Sequence, residues 1–239
     1  MKSNERLFIT DWLEFLDIKR RNKRLFRRAF DWKREKHYKW GGWLSPILLE
    51  AQNRFIAEKF LPHLSKESVV LDMGCASGDF AFSIADKVKE IHGYDISKRM
   101  ISRARRIAKK KRGGGELRFY AQDATKAKFL VNFDCAAILG ATLYIFDDRE
   151  VLSLLKNIAR HMKKGGMLVA VDSLASGADT IYLYRPLDSY SACYRNEGDY
   201  FRMFDKAGFE LVESDVITQK QEPLMDSRQV RSLALFRKK

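Results

Sequence analysis

Three aspartates and two glycines stand where α/β proteins commonly bind a small ligand. Asp72, Gly74 and Gly78 lie in VVLDMGCASGDF, residues 69 to 80, which reads as a buried strand, a turn and the start of a helix. Asp95 in IHGYDIS and Asp123 in LRFYAQDAT each end a further strand-like run. Glycines let the backbone approach a ligand closely, and carboxylates accept hydrogen bonds from hydroxyl and amino groups. These positions predict one binding crevice at the carboxyl ends of three successive strands.

The spacing of the first turn excludes the two common phosphate-binding loops. Asp72-x-Gly74-x-x-x-Gly78 lacks the Gly-Lys-Ser/Thr end of a Walker loop and the G-x-G-x-x-G of a dinucleotide turn. The carboxylate of Asp72 suits a cationic ligand group better than a pyrophosphate. Asp95 can accept hydrogen bonds from both ribose hydroxyls, and Asp123 can accept one from an exocyclic amine. We therefore expect a ligand with ribose and adenine but no phosphates.

The elements that must position these residues alternate along the chain. Strand-like and helix-like segments follow one another from residue 68, which predicts a mostly parallel sheet with helices on both faces. The pattern changes after residue 172, where we predict an irregular loop over about 173–196, a helix near 197–207 and an antiparallel hairpin. The predicted segments before the loop are SVVLDM, 77–88, IHGYD, 97–111, ELRFYAQD, FDCAAILG, 148–163 and MLVAVDS, and the hairpin strands are FELVESDVI and VRSLALFRK.

The amino-terminal part of the chain has a different character. Apolar residues recur at helical spacing over residues 4–39, with a basic opposite face, and predict one or two amphipathic helices. Ser45-Pro46 then favours the start of a helix that runs to about Leu61. We expect a helical extension or lid over 1–62 and a ligand-binding domain over 63–239.

The strongest compositional signal is positive charge. The formal net charge is +14, and the sequence pI is about 9.7. Residues 19–39 contain eleven Lys or Arg against two acids, and residues 98–112 contain nine with no acid. Clustered cations favour a polyanionic partner, either a nucleic acid, an anionic membrane surface or a phosphorylated substrate. The alternative is that both segments are simply solvated helix faces.

Cysteine usage and hydropathy bear on the compartment. Three cysteines, Cys75, Cys135 and Cys193, are too widely and irregularly spaced to indicate a disulfide framework or a metal site. The first residues lack the pattern of a secretory leader, and no run reaches the roughly 18 apolar residues of a membrane span. A cytoplasmic protein without a transmembrane segment is the expectation.

In this order and spacing, the motifs resemble those of the class I S-adenosylmethionine-dependent methyltransferases. The resemblance covers residues 68 to 239, through VVLDMGCASGDF, IHGYDIS, QDA, FDCAAILGATLYI, HMKKGGMLVAVD and YFRMFDKAGFELVES. It implies an α/β, Rossmann-like sheet of seven strands in the order 3-2-1-4-5-7-6, with the last strand antiparallel. It also implies S-adenosylmethionine as cofactor and S-adenosylhomocysteine as product.

The resemblance assigns a role to each residue of the predicted crevice. Asp72 would lie near the methionine end of the cofactor, Asp95 would hold the ribose, and Ile96 would cover the adenine. Asp123 would meet the adenine amine. The turn under the cofactor would consist of Gly74, Cys75, Ala76 and Gly78. Asp123 would be joined by Ala124, and the floor near the sulfonium would be formed by Leu139 and Gly140. The alternative for Asp95 and Asp123 is that they only cap the following helices.

The acceptor side carries fewer signals. The Asn/Asp-Pro-Pro-aromatic tetrad of base-amine methyltransferases is absent after the fourth strand, which continues Gly140-Ala-Thr-Leu-Tyr144. Cys135 lies inside that strand, so a cytosine-type nucleophile is not indicated, and no metal-ligand cluster is apparent. The candidate catalytic residues are Tyr144 and His37, and the candidate acceptor-binding residues are Tyr38, Trp40, Trp43, Arg185 and Arg195.

Several acceptors therefore stay open. The leading expectation is methyl transfer to an oxygen or nitrogen of an anionic or phosphorylated acceptor, such as a small metabolite, a glycan or a lipid-linked molecule, for which orientation can replace a strong base. The alternatives are an RNA methyltransferase, a protein methyltransferase and a catalytically silent, cofactor-binding partner subunit. The sequence does not indicate an oligomeric state.

Overall fold

A computed structural model describes residues 7–21, 46–185, 190–218, 220–221 and 227–239. Ten strands and six α-helices are found in these residues. The strands are β1 (Leu7–Ile9), β2 (Val69–Met73), β3 (Glu90–Asp95), β4 (Glu116–Ala121), β5 (Phe133–Leu139), β6 (Met162–Ala175), β7 (Ile181–Arg185), β8 (Tyr190–Tyr194), β9 (Phe209–Ile217) and β10 (Gln229–Lys238). The helices are α1 (Trp12–Arg21), α2 (Pro46–Phe55), α3 (Asp79–Ile84), α4 (Lys98–Ala108), α5 (Asp148–His161) and α6 (Glu197–Lys206).

A seven-stranded sheet organises the molecule, in the order β4-β3-β2-β5-β6-β10-β9. Strands β2 to β6 run parallel, whereas β10 lies antiparallel to both β6 and β9. Numbered within this sheet alone, the strands read 3-2-1-4-5-7-6. The prediction of a mostly parallel Rossmann-like sheet is confirmed, as is the antiparallel hairpin at its end.

Helices cover both faces of this sheet, each over its own apolar core. One core joins α5 and α6 to the sheet, where Leu154, Ile158 and Phe204 are fully buried. The other joins α2, α3 and α4 to the opposite face, through residues such as Phe80 and Ala104. Burying both faces explains why the strands read as nearly continuous apolar runs. It also leaves the carboxyl edge of the parallel strands open between the two helical layers.

The helix predicted from Ser45-Pro46 begins at Pro46 as expected. Its α-helical part ends at Phe55 and continues as a π-helical turn over Ile56–Phe60, followed by a 3-10 turn over Leu61–His63. A π-turn shifts the helical register, so the apolar side chains on either side of it can keep facing the sheet. Phe55, Ile56 and Phe60 are all buried in the second core.

A second, three-stranded sheet was not predicted from the sequence. It has the order β1-β7-β8 and is antiparallel throughout. The prediction of an irregular loop over 173–196 is therefore wrong, because β6 extends to Ala175 and both β7 and β8 fall within that range. The prediction of helix from residue 4 is also wrong for Leu7–Ile9, which pair with Tyr182–Tyr184.

The helix α1 packs on this second sheet through aromatic contacts. Phe15 is fully buried, and its ring lies 4.4 Å from that of Tyr182 and 5.1 Å from that of Phe146. The described part of residues 1–62 thus contacts residues beyond 140 directly. The domain boundary at residue 62 stays a prediction.

Two negative findings concern the described residues alone. None of their helices combines the length and the apolar composition that a membrane crossing requires. Their His, Cys, Asp and Glu side chains form no group of three suited to a metal ion. All three cysteines, Cys75, Cys135 and Cys193, are buried thiols.

Candidate functional site

The turn after β2 is built on backbone conformations that glycine favours. Gly74 and Gly78 have φ of 79° and 85°, and Ala76 between them has φ of 45°. The amides of Gly74 and Cys75 both donate to the carbonyl oxygen of Tyr94, at 2.8 and 3.1 Å. The turn is therefore fixed to the end of β3, and α3 begins directly after it.

Close packing also requires the two glycines. A Cβ on Gly74 would lie 2.6 Å from Cβ of Ala141, and a Cβ on Gly78 would lie 2.8 Å from the ring of Phe119. Ala141 belongs to the segment that follows β5. The turn after β2 and the segment after β5 consequently touch, and Gly74 is the point of contact.

Asp72 lies beneath this turn with an unsatisfied carboxylate. Its side chain is 2 % exposed, and its Oδ2 has no hydrogen-bond partner in the described part of the chain. Burial is the main cause that raises its pKa from 3.8 to about 8; the nearby charge of Asp95 adds to this, and the backbone amide of Ala81 partly offsets it. A cationic ligand group would supply the missing partner and favour the ionised form.

Asp95 joins the turn to the start of α4. One carboxylate oxygen accepts from the amide of Ala76 at 2.9 Å, and the other accepts from the amide of Ser97 at 2.8 Å. Burial raises its pKa, and these two amides oppose the rise. The helix-capping interpretation does not hold for Asp95, because Ser97 is the N-cap of α4 and its hydroxyl accepts from the amide of Met100. The bond to Ala76 ties Asp95 to the crevice instead. Next to it, Ile96 is 47 % exposed, as expected of a side chain that covers a ligand ring.

Asp123 follows β4 and caps a short 3-10 turn, Ala124–Lys126. Its Oδ1 accepts from both the amide and the hydroxyl of Thr125, at 2.9 and 2.8 Å. Asp123 and Ala124 are both partly exposed at the same edge of the sheet. Since both bonds use Oδ1, Oδ2 can accept from a ligand amine.

The floor of the predicted crevice lies at the end of β5. Leu139 is partly exposed, and Gly140 follows with φ of 73° and donates its amide to the carbonyl of Val171 at 2.6 Å. The carboxyl ends of four neighbouring strands, from β4 to β5, therefore meet at this edge. The structure brings the eleven predicted cofactor residues to one face of the molecule, each directly after or at the end of one of these strands.

Sequence reasoning missed a buried polar network beside this floor. Asp172, 1 % exposed near the end of β6, accepts at Oδ2 from the hydroxyls of Thr142 and Tyr200, the latter at 3.0 Å. Its Oδ1 has no partner among the described residues, and burial raises its pKa. An acid at the end of a predicted strand is the same signal that identified Asp72, so Asp172 could have been found.

A second missed feature is the buried Arg231 near the start of β10. Its Nη2 donates to Oε1 of Gln52 at 2.9 Å, which connects α2 to the sheet. The same Nη2 would lie 4.0 Å from a Cβ placed on Gly140. A positive charge is thus held next to the floor of the crevice.

Arg195 does not form the predicted acceptor clamp. It is 1 % exposed; its Nε donates to Oδ1 of Asp148 at 2.8 Å, and its two Nη atoms donate to the carbonyls of Thr142 and Ile145 at 3.2 and 2.6 Å. The guanidinium is committed to the segment after β5 and cannot reach an acceptor. Its role is to hold that segment against β8.

The other acceptor-side candidates differ in what the structure says of them. Tyr144 lies in the 3-10 turn Thr142–Tyr144 after β5 and packs partly buried against apolar residues of β7 and β8. Its catalytic role stays a prediction. Arg185 ends β7, and its side chain is not described. Four candidates, His37, Tyr38, Trp40 and Trp43, lie outside the described residues.

Family comparison identifies the crevice-bearing segment. Residues 70–166 match the family model described as a methyltransferase domain, a range that includes Asp72, Asp95 and Asp123. This part of the chain is similar to a methyltransferase domain. The matched segment lies within the Rossmann-like sheet and begins in β2, the strand that leads into the glycine turn.

Two curated relatives match part of this chain. One is described as a methyltransferase, from Geobacillus sp. (strain WCH70), and is 29 % identical over 101 residues, 42 % of this chain and 40 % of the relative. The other is the cypemycin N-terminal methyltransferase of Streptomyces sp., 29 % identical over 98 residues, 41 % of this chain and 38 % of the relative. The matches thus span well under half the length of either relative.

Among solved structures, the fold is similar over most of the chain. The N-methyltransferase NodS from Bradyrhizobium japonicum WM9, in complex with S-adenosyl-L-homocysteine, has a TM-score of 0.63 and 19 % identity, covering 90 % of this chain and 97 % of NodS. An S-adenosylmethionine-dependent methyltransferase from Clostridium acetobutylicum ATCC 824 has a TM-score of 0.61 and 15 % identity, covering 95 % and 98 %. These similarities extend the shared fold beyond residues 70–166.

Proposed function

We propose that the protein is an S-adenosylmethionine-dependent methyltransferase. The observation that carries the proposal is Asp72, a buried carboxylate with one unsatisfied oxygen beneath the glycine turn of a methyltransferase domain. The α-ammonium group of the cofactor is a cation that would satisfy it. Asp95 and Asp123 supply further acceptors at the next two strand ends, suited to ribose hydroxyls and an adenine amine.

The described residues fit each part of this cofactor. The left-handed backbone of Gly74, Ala76 and Gly78 forms the tight turn after β2, and Ile96 offers an exposed apolar surface to the adenine. S-adenosylmethionine supplies an electrophilic methyl group on sulfur. The protein's task is to place the acceptor atom in line with that methyl, and orientation alone accounts for much of the acceleration in such reactions.

The acceptor we propose is anionic or phosphorylated. A net charge of +14 favours association with anions, and Arg231 holds a positive charge next to Gly140. An oxygen or nitrogen nucleophile that is already unprotonated needs no strong base, which fits the described part of the crevice, where no histidine is found. The name of the Streptomyces relative makes a peptide amino terminus the second candidate acceptor.

Calorimetry with S-adenosylhomocysteine tests the cofactor assignment. Asp95→Ala should weaken binding at least about tenfold, because it removes charge-assisted hydrogen bonds to the ribose. Asp179→Ala removes an equal charge from an exposed loop and is the matched control, expected to bind within about twofold of the unchanged protein. Equal affinity of Asp95→Ala and the unchanged protein would refute the assignment. Thermal unfolding of each variant separates a lost contact from a collapsed turn.

Transfer of labelled methyl from the cofactor tests the reaction and the acceptor class together. The protein is incubated with fractionated cell extract, and label is counted in nucleic acid, protein, lipid, glycan and small-molecule pools. Label in any pool, lost in Gly74→Ala, supports methyl transfer, and the pool names the acceptor. Tight cofactor binding without label in any pool would identify a silent cofactor-binding subunit instead.

A further inference from the structure

A groove on the surface lies between α4 and the end of β4, outside the crevice. Its volume is about 490 Å³, and five of its lining residues lie on α4 while Ala121 ends β4. The five are Lys98, Ile101, Ser102, Arg105 and Arg106, and Lys109 follows the helix directly. We propose that this cationic groove binds the phosphodiester backbone of single-stranded RNA. The proposal deepens the proposed function, because it names RNA within the anionic acceptor class.

The first argument is uncompensated charge. Four of the lining residues of the cationic groove are cations, and α4 contains no acid. Among the described residues, no acid forms a salt bridge with Lys98, Arg106 or Lys109, and all three side chains are exposed. Arg118 on the neighbouring strand β4 is by contrast paired with Glu90 and Glu116. Phosphates are the natural counterions for such a set.

The second argument is that one guanidinium is held in place. Nε and Nη2 of Arg105 both donate to the carbonyl oxygen of Phe119, at 2.9 and 2.6 Å. These two bonds fix the plane of the Arg105 guanidinium before any ligand arrives. Ser102 adds a hydroxyl, a group that commonly donates to phosphate oxygens.

The shape and length of the groove favour a chain over a single phosphate. Lys98 and Lys109 are eleven residues apart, which is about 16 Å along a helix. Positive side chains thus follow the helix over a distance that spans several nucleotides. No aromatic side chain of the described residues lines the groove, so stacking would not select a base, and binding should depend little on sequence.

The position of the groove connects it with the crevice. Ala121 precedes Asp123 by two residues, so the groove opens beside the predicted adenine end. Strand β4 lies three strands from β5, or about 14 Å at the usual strand spacing. A strand of RNA held along α4 could therefore extend a few nucleotides across the edge to the floor at Gly140.

A membrane surface fits these observations less well. Helices that lie on membranes insert an apolar face, but the apolar residues of α4 are already buried in the protein, as Met100, Ile101 and Ala104 show. A flat bilayer also cannot enter a concave groove. A flexible polynucleotide can follow the groove and contact the cations that line it.

Fluorescence anisotropy of a labelled single-stranded oligouridylate, titrated with the full chain, tests the proposal. The double variant Arg106→Glu, Lys109→Glu should weaken binding at least tenfold. The control Lys156→Glu, Lys164→Glu changes the net charge equally at exposed positions on α5 and β6, and should weaken binding less than threefold. Equal losses in the two variants, or no binding by the unchanged chain, would overturn the proposal.

Salt dependence and vesicles sharpen the test. For single strands, log K falls with log salt by about 0.7 per phosphate contact, so the groove variant should lower that slope by about 1.4. Vesicles with and without phosphatidylserine form a parallel arm; groove-dependent binding to the anionic vesicles in place of RNA would overturn the proposal. The measurement needs no cofactor, and S-adenosylhomocysteine binding needs no RNA, so failure of this inference is distinguishable from failure of the proposed function.

Discussion

The two halves of the carboxyl edge are built in different ways. Over β2, β3 and β4, the candidate residues lie at or just after the ends of their own strands, and backbone amides no more than 19 positions away hold them, as Ala76 and Ser97 hold Asp95. Over β5 and β6, the segment after β5 is held from farther along the chain, since Arg195, directly after β8, donates to its carbonyls across at least 50 positions. We call these the cofactor half and the acceptor half.

We expect this difference to separate cofactor binding from acceptor specificity. A half that is fixed by local turns can keep one cofactor in place whatever surrounds it. A half that is held by long-range contacts can change its shape when the strands and helices that contact it change. In this protein, the second sheet makes such contacts. The two should respond differently to substitution, and the following changes test that, beginning with the largest expected effect.

Arg195→Met should destabilise the acceptor half while leaving cofactor binding intact. Loss of the guanidinium leaves buried carbonyls after β5 without donors, at a cost of about 3 kcal/mol in the free energy of unfolding. Urea unfolding measures the cost, and calorimetry should show S-adenosylhomocysteine affinity within about twofold of the unchanged protein. Arg149→Met, which removes an exposed ion pair, is the control and should cost about 0.5 kcal/mol or less. A tenfold loss of affinity in Arg195→Met would contradict the independence of the halves.

Gly74→Ala should affect both halves, because Gly74 is where they touch. The added Cβ strains a left-handed backbone and meets Ala141, which together should cost about 2 to 4 kcal/mol in the free energy of unfolding. Cofactor affinity should also fall at least about tenfold, since the turn must move.

Gly165→Ala is the matched control for that clash. Gly165 has nearly the same φ, 77°, but a Cβ there would meet nothing within 4 Å. It should cost about 1 to 2 kcal/mol from backbone strain alone and leave cofactor affinity unchanged. If Gly74→Ala and Gly165→Ala lower the free energy of unfolding equally, the contact with Ala141 does not contribute to the loss.

Asp72 should give the cofactor half a recognisable pH dependence. Its pKa is about 8 in the folded chain against 3.8 ordinarily, so the fold favours the neutral form. The stabilisation is complete below about pH 4 and is lost as the pH rises towards about 8. Relative to Asp72→Asn, which does not titrate, the melting temperature of the unliganded chain should fall between about pH 5 and about pH 8.

Cofactor binding should follow the opposite trend. The ammonium group of S-adenosylhomocysteine needs the ionised carboxylate, so affinity should rise over the same range and protons should be released on binding. Calorimetry in buffers of different ionisation enthalpy counts these protons. A pH-independent affinity that matches that of Asp72→Asn would place the ammonium elsewhere.

The smallest effect is expected at Ile96. Truncation to Ala exposes adenine rather than opening a cavity, so stability should change by about 0.5 kcal/mol or less. The loss of apolar contact should weaken S-adenosylhomocysteine binding about threefold to tenfold. Leu211→Ala removes a similarly exposed side chain from the edge strand β9 and should leave binding unchanged. Equal affinities of the two variants would remove Ile96 from the site.

The same division explains what the sequence could predict. Asp72, Asp95 and Asp123 were found because each follows its own apolar strand, so spacing along the chain is spacing in the fold. The bond between Gln52 and Arg231 joins residues 179 positions apart, and no local pattern marks it. Strand β1 pairs with β7 at a similar separation along the chain. Because this partner is not visible in the local pattern, the helical periodicity of the segment led to the prediction of a helix at Leu7–Ile9.

The place of β1 at the edge of the second sheet bears on how the chain can be shortened. In the order β1-β7-β8, removal of residues 1–21 would expose the amides and carbonyls of β7 to any extended peptide. A truncated protein would then tend to recruit strands from its own copies, and the buried Phe15 would no longer cover Tyr182. Loss of solubility after such a deletion would result from the exposed edge of β7. It would therefore not be evidence that the deleted segment binds the acceptor.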